Sequence, residues 1–324
     1  MRKDIALKII SLTLNPAYDL HLYTDTLRLL SDNAVKSSAR DAGGKGINLA
    51  RALACAGVGC TSYLLLPEES EREYLAALER DGILPLYDTV SGFIRENINL
   101  HTNAGDTVIT TEGTAITAAD IDRVGEAILP LIDSETYLVF SGGIPKGSDK
   151  GALISFLSET RGAGARLVLD SRSLTGDEIL GLSPYLIKPN IEEASALLGD
   201  RVSCIRDAAF AAEGLFRDTC GRIGNILITA GAEGAVLVCG SGAYRATAPQ
   251  IEAISAVGAG DSTVAGFLTA VLMGFADSEK LRLATAFGTA ACLEAGTRPP
   301  QPEKIREIYS DVTVEKISSP AAKR

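Results

Sequence analysis

Short apolar runs rich in β-branched residues alternate with longer stretches of helical periodicity along most of this chain. The strand-like runs lie near residues 7–13, 61–66, 137–141, 166–170, 185–188 and 225–229. Between them, apolar positions recur at three- and four-residue spacing over 44–56, 70–80, 118–132, 149–161, 191–199 and 206–221, as in helices with one buried face. Strands that alternate with helices predict an α/β fold, a mostly parallel central sheet covered by helices on both faces. Residues 234–239 and 243–247, separated by Gly240-Ser241-Gly242, read as a late antiparallel hairpin. Helical patterns dominate from 260 to about 309, and the tail beyond 318 reads as frayed.

Two segments break the rhythm. Residues 21–40 and 92–111 are strand-like and polar at alternate positions, with a turn at Ala104-Gly105-Asp106. They predict a small β-sheet standing off the core, so that 1–14, 41–91 and 112–324 form the α/β core and 15–40 with 92–111 form a β lid. A sheet this small cannot bury its own face, and is expected to act as a lid and as a dimer surface.

Composition narrows the function. A chain of 324 residues with 46% hydrophobic content can bury a large core. Its net charge of −10, without a basic run, argues against nucleic acid or an anionic membrane as partner. Six cysteines without a C-x-x-C pair, beside two histidines, make a zinc site improbable and read as buried thiols in a reducing cytoplasm. Lys8 interrupts the first apolar run and Asn15-Pro16 ends it without a cleavage pattern, so a strand is expected there and not a signal peptide. No apolar run approaches the roughly 18 residues that span a bilayer, and a soluble cytoplasmic protein is expected.

Candidate chemistry gathers at two glycine-rich helix starts. Val257-Gly258-Ala259-Gly260-Asp261 leads into an apolar helix. Small residues let backbone N–H groups close around an anion, the helix dipole favours negative charge there, and Asp261 stands beside it as a proton acceptor. An anion cradle next to a base is what phosphoryl transfer to a hydroxyl requires. The same string also suits an ordinary helix start. Gly43-Gly44-Lys45-Gly46-Ile47-Asn48 is a second such start, with a lysine as point charge. Neither a Walker A loop nor a G-x-G-x-x-G is present.

Further polar residues fall at predicted strand ends, where open parallel sheets bind ligands: Asn15 and Asp19, Ser141-Gly142-Gly143, Asp170, Lys188 and Thr229-Ala230-Gly231. Lys188-Pro189-Asn190 is followed by Glu193, a spacing that suits either water-mediated Mg²⁺ or plain helix entry. Arg95, near Asn97, could fork onto a phosphate.

In this order, Thr13-Leu14-Asn15-Pro16-Ala17-Tyr18-Asp19, the run from Gly43 to Asn48, Arg95-Glu96-Asn97, Lys188-Pro189-Asn190, Gly231-Ala232-Glu233-Gly234 and the run from Gly258 to Asp261 resemble the PfkB-type carbohydrate kinases over essentially the whole chain. The opening motif and Val-Gly-Ala-Gly-Asp-Ser are similar to the phosphosugar branch of that family, nearest to its fructose 1-phosphate kinases and next to its tagatose 6-phosphate kinases. The resemblance implies a ribokinase-like fold and transfer from MgATP to fructose 1-phosphate, with tagatose 6-phosphate or fructose 6-phosphate as alternative acceptors. A sugar-phosphate sensor on the same fold is the alternative that is not an enzyme. It implies Asp261 as base and Gly258, Ala259 and Gly260 as anion hole. Asp19, Gly43, Gly44 and Asn48 would hold sugar hydroxyls, and Lys45, Arg95 and Ser141 the substrate phosphate. Lys188, Thr229, Gly231, Ala232 and Gly234 would border ATP, and Asn190 with Glu193 would organise Mg²⁺ through water. A homodimer through the lid is implied as well.

The chain departs from the pattern at Ser255-Ala256-Val257, where relatives often carry Asp-Thr-Thr at a monovalent-cation site, and at Glu112-Gly113, where they often carry Pro-Gly. Ala34 stands where some phosphosugar relatives place an arginine, so a basic residue reaching across a dimer is not expected.

Overall fold

The computed structural model describes residues 8–199 and 201–317; residue 7 of the first predicted strand and the predicted frayed tail lie outside them. Its strands are β1 (Lys8–Thr13), β2 (Ala17–Tyr23), β3 (Ser37–Gly43), β4 (Thr61–Pro67), β5 (Leu86–Val90), β6 (Arg95–Thr102) and β7 (Gly105–Thr110). They continue with β8 (Thr136–Ser141), β9 (Arg166–Asp170), β10 (Leu186–Ile187), β11 (Asn225–Thr229), β12 (Ala235–Cys239), β13 (Gly242–Thr247) and β14 (Thr313–Ile317). The helices are α1 (Lys45–Cys55), α2 (Glu71–Arg80), α3 (Ala118–Ile128), α4 (Lys150–Gly162), α5 (Gly176–Leu182), α6 (Ile191–Leu198), α7 (Ile205–Asp218), α8 (Ala259–Leu272), α9 (Asp277–Ala291) and α10 (Pro302–Asp311).

A 10-stranded sheet runs in the order β14-β13-β12-β11-β10-β9-β8-β1-β4-β5. It is parallel from β11 to β5 and antiparallel from β11 to β14. Its central strands are apolar on both faces, as strands covered by helices on each side must be. In β8, Leu138 and Phe140 join a core built with α3, α4, α5 and α7, whereas Tyr137 and Val139 join a second core built with α1, α8, α9 and α10. The chain leaves β1 for β4 and β5 on one side and comes back to β8 on the other. That reversal opens a crevice at the carboxyl ends of β1 and β8.

The two segments that broke the rhythm form a separate four-stranded sheet, β3-β2-β6-β7. β3 runs on to Gly43, so the small sheet feeds directly into α1. Tyr18 and Ala42 of the small sheet pack with Ile47 of α1, Leu64 and Leu66 of β4, and Tyr74 and Leu78 of α2 in a third apolar cluster. This cluster roots the small sheet on the core.

Several expectations need correction. The helix expected over 118–132 stops at Ile128 and tightens to a 3₁₀ turn over 129–131, because Pro130 has no N–H for a further α-helical bond. The helix expected to reach 221 ends at Asp218, and the 185–188 strand shrinks to two residues. The edge strands β5 and β14 carry no marked apolar alternation and were not expected. The cysteines are all free but not all buried: Cys239 is, Cys220 is exposed, and the others are partly covered. Among the described residues no helix is long and apolar enough to cross a membrane.

Candidate active site

Two clefts meet along the carboxyl edge of the large sheet. One lies under the small sheet and is lined by Asn15, Asp19, Gly44, Asn48, Arg95, Asn97 and Ser141. The other runs between α6, the 231–234 turn and the helices α8 and α9, lined by Lys188, Asn190, Glu193, Thr229, Gly231 and Gly234. Lys45, Arg172, Gly258 and Asp261 line both.

Asp261 sits in the first turn of α8 and is buried. Gly258 caps that helix with φ +78°, a left-handed conformation that favours glycine. The amides of Gly260 and Asp261 precede the first helical bond, Ser262 N–H to Gly258 C=O at 2.9 Å. Ala259 N–H instead donates to Ala256 C=O at 3.3 Å, which takes it partly out of the expected cradle. Asn48 of α1 donates its side-chain amide to Asp261 Oδ2 at 3.0 Å. Burial pushes the Asp261 carboxyl up to about 7, helped by the charge of Asp170 and opposed by Lys45, Asn48 and Lys188.

Asp170, at the end of β9, is the counter-charge of this centre. Lys45 Nζ lies 3.2 Å from its Oδ2 and Lys188 Nζ 3.3 Å from its Oδ1. Burial alone would raise the Asp170 carboxyl, yet the two ammonium groups hold it below its ordinary range. For Lys45 burial is likewise outweighed, by Asp170 and Asp261, and the ammonium form is favoured. A Cβ added at Gly260 would stand 3.2 Å from Lys188 Nζ, which fixes that charge against the start of α8. Two cations and a helix N-terminus therefore converge where the clefts meet.

Under the small sheet, β2 and β6 run parallel and bring Asp19 opposite Asn97. Asn97 donates to Asp19 Oδ1 at 2.8 Å and accepts from Arg95, while Arg95 Nε donates to Asn15 Oδ1 at 3.0 Å. Burial raises the Asp19 carboxyl against the pull of Asn97 and nearby cations. The Asp19 carboxylate occupies the space that a side chain at Gly43 would need. Ser141 closes β8 at the floor of the same cleft.

In the second cleft, Asn190 and Glu193 form a reciprocal cap on α6. Asn190 Oδ1 accepts from Glu193 N–H at 2.8 Å, and Glu193 Oε2 accepts from Asn190 N–H at 3.0 Å. Plain helix entry thus accounts for much of this motif. Glu193 Oε1 stands outside the cap, 3.8 Å from Arg172. Thr229, Gly231 and Gly234 line the cleft, but Ala232 projects from the exposed 231–233 turn and does not. Among the described residues no cluster of three or more His, Cys, Asp or Glu could hold a metal by itself.

Sequence reasoning placed Asn15 and Asp170 at the ligand edge and Asn97 beside Arg95 without assigning them a specific role, and did not single out Arg172. Asp170 carried a signal, a carboxylate ending an apolar strand at the ligand edge. For Arg172 there was none beyond its nearness to Asp170.

Residues 9–304 match the profile of the pfkB family carbohydrate kinases. The chain is 31% identical to a 1-phosphofructokinase of Rhodobacter capsulatus, over 97% of this chain and 99% of that relative. It is 29% identical to a tagatose-6-phosphate kinase of Staphylococcus epidermidis, over 94% and 99%. Its fold superposes on phosphofructokinase-2 from Escherichia coli, solved in complex with substrates and products, with a TM-score of 0.86 and 25% identity over 94% of this chain and 99% of that one.

Proposed function

The chain belongs to the pfkB family of carbohydrate kinases, and on that premise we propose that it transfers the γ-phosphoryl group of ATP to fructose 1-phosphate, giving fructose 1,6-bisphosphate and ADP. The observation that carries this reading is the position of Asp261, buried where the two clefts meet and beside a helix start. The choice of acceptor follows the similarity to 1-phosphofructokinases.

The acceptor sugar lies under the small sheet, its hydroxyls held by Asp19, Asn48 and the backbone of Gly43 and Gly44. Arg95 and Ser141 hold its phosphate, and Lys45 lies between that phosphate and the transferring group. Lys188 holds the ATP phosphates, with Thr229, Gly231 and Gly234 along the nucleotide and Ala232 at its rim. Asp261 takes the proton of the acceptor hydroxyl as its oxygen attacks the γ-phosphorus. A carboxyl held near 7 is a stronger base than an ordinary aspartate and is still substantially ionised at neutral pH. Gly258 and the amides of Gly260 and Asp261 receive the charge on the phosphoryl oxygens, with Lys45 and Lys188 alongside.

The donor set of the second cleft, the second lone pair of the capping Asn190 Oδ1 and the Glu193 Oε1 outside the cap, suits a cation that keeps its own waters. Asn190 and Glu193 would hold Mg²⁺ through water, and the ion supplies charge neutralisation on the donor phosphates. Closing the small sheet over the sugar excludes water and limits idle ATP hydrolysis. Its β7 strand is exposed throughout, with Val108 and Ile109 each 53% exposed, and we assign this face to a homodimer of a cytoplasmic enzyme.

A coupled ADP-release assay tests the reading over fructose 1-phosphate, fructose 6-phosphate, tagatose 6-phosphate and unphosphorylated sugars. The highest kcat/KM is expected with fructose 1-phosphate. Preference for either 6-phosphate moves the assignment within the family, and binding without turnover turns the protein into a sensor.

A further inference from the structure

The chain has two histidines, both in the small sheet and bonded to each other. His21 Nδ1 of β2 lies 3.0 Å from His101 Nε2 of β6, and His101 Nδ1 lies 2.9 Å from Asp106 Oδ1 of β7. A carboxylate only accepts, so His101 donates from Nδ1, and with His101 neutral its Nε2 accepts from His21 Nδ1–H. Neutral His21 is left with a bare Nε2, buried and without a hydrogen-bond partner.

That nitrogen faces the core. A Cβ added at Gly296, which follows α9 and has φ +67°, would stand 2.9 Å from it. The next residue, Thr297, is buried, and its Cα lies 3.9 Å from where a Cβ on Gly258 would stand. The small sheet thus comes close to Gly296, and Thr297 beside it comes close to the glycine that starts the catalytic helix, with no room for a side chain at Gly296.

The charged and titratable groups acting on His21 are Asp41 of β3, whose Oδ2 is 3.8 Å from Nε2, Asp19 of its own strand, and His101 and Asp106 behind it. From the core side Gly296 itself carries no charge, and Arg298 of the same loop acts on Tyr23, whose ring stacks on His101. Burial, stronger than the opposing pull of Asp41 and Asp19, holds the imidazole below its ordinary range. A proton on Nε2 would place a charge on a side chain 1% exposed, with Asp41 at 3.8 Å as its nearest counter-charge, and lifting the sheet away would restore its water.

We propose that His21 is a positioning residue that seats the small sheet on Gly296-Thr297, and through them on the Gly258 turn, and that protonation of Nε2 unseats it and weakens phosphosugar binding in acid. The proposal rests on the kinase reading above. By linkage, bound phosphosugar must lower the proton affinity of His21 to the same degree.

The test compares kcat and both KM values of wild type and His21→Asn between about pH 5 and 8. Asparagine keeps a donor toward His101 but takes no proton. Ionisation of the sugar phosphate affects both enzymes alike, so the ratio of their phosphosugar KM values isolates His21. That ratio, wild type over variant, is expected to rise by about ten-fold toward acid, as a ten-fold difference in proton affinity between the seated and unseated sheet gives, while KM for ATP changes equally in both. A constant ratio overturns the coupling and leaves the kinase reading standing. Absence of turnover with every phosphosugar overturns the kinase reading and the proposal with it. Should His21→Asn not fold, the two imidazoles of wild type can be followed by NMR. Saturation with fructose 1-phosphate is expected to move one titration to lower pH, and two unmoved titrations contradict the proposal.

Discussion

Asn48 and Asp261 are 213 positions apart in sequence, yet the amide of one donates to the carboxylate of the other at 3.0 Å. The bond joins the helix that follows the small sheet to the helix that carries the proposed base. Arg51 Nη1 in turn donates to Asn48 Oδ1 at 3.2 Å, which leaves the Asn48 amide nitrogen facing Asp261. The proposed base is thus held by the segment that is also proposed to bind the sugar.

The first prediction concerns pH. With the Asp261 carboxyl at about 7, turnover should rise with pH through that value and level off above it. This lies about one pH unit above the second ionisation of a phosphate ester, near 6, so the two can be told apart. A kcat profile that is flat from neutrality down to the phosphate ionisation contradicts the role of Asp261.

Stability should show the same carboxyl from the other side. A carboxyl raised in the folded state binds more protons there than in the unfolded chain, so stability falls as pH rises from the ordinary carboxylate range to about 7. Asp261→Asn removes that cost. The variant should be more stable than wild type at pH 8 by a few kcal/mol and melt at a higher temperature, since each ten-fold change in proton affinity is worth about 1.4 kcal/mol, and the gain should vanish toward pH 4. A gain independent of pH, or a loss at pH 8, would count against the burial argument.

Arg95→Ala should raise KM for the phosphosugar far more than KM for ATP. Arg95 reaches Asn15 and Asn97 in the first cleft and does not line the second. Equal effects on both substrates remove it from the substrate phosphate.

Gly43→Ala probes the packing of the sugar site. The added methyl would displace the Asp19 carboxylate and break its bond from Asn97. Steady-state kinetics should show a phosphosugar KM raised by at least about ten-fold, with a stability loss of about 1–3 kcal/mol in thermal melts, as overpacking typically costs. An unchanged KM removes Asp19 from sugar binding.

Much of this was legible in sequence because the central strands are apolar on both faces and the glycine runs mark helix starts. Edge strands were not: Leu86 and Tyr87 of β5 are 45% and 39% exposed, so no apolar period betrays the strand. The role of Asp170 was hidden for another reason. A carboxylate at a strand end becomes a charge centre only when Lys45, 125 positions away, and Lys188 fold onto it. The Asn190 and Glu193 spacing fits both a helix cap and a hydrated cation, and the cap is plainly formed. Ala232 fell within a motif whose neighbours line the cleft while its own side chain points outward.

The most direct test of the central claim is kcat of Asp261→Asn at saturating ATP and phosphosugar, measured beside its thermal melt. A positioned general base contributes about 10² to 10⁴. The account predicts a fall of that size in a protein that melts no lower than wild type at pH 8. Turnover close to wild type in the folded variant would show that proton removal does not pass through Asp261, and would contradict the mechanism.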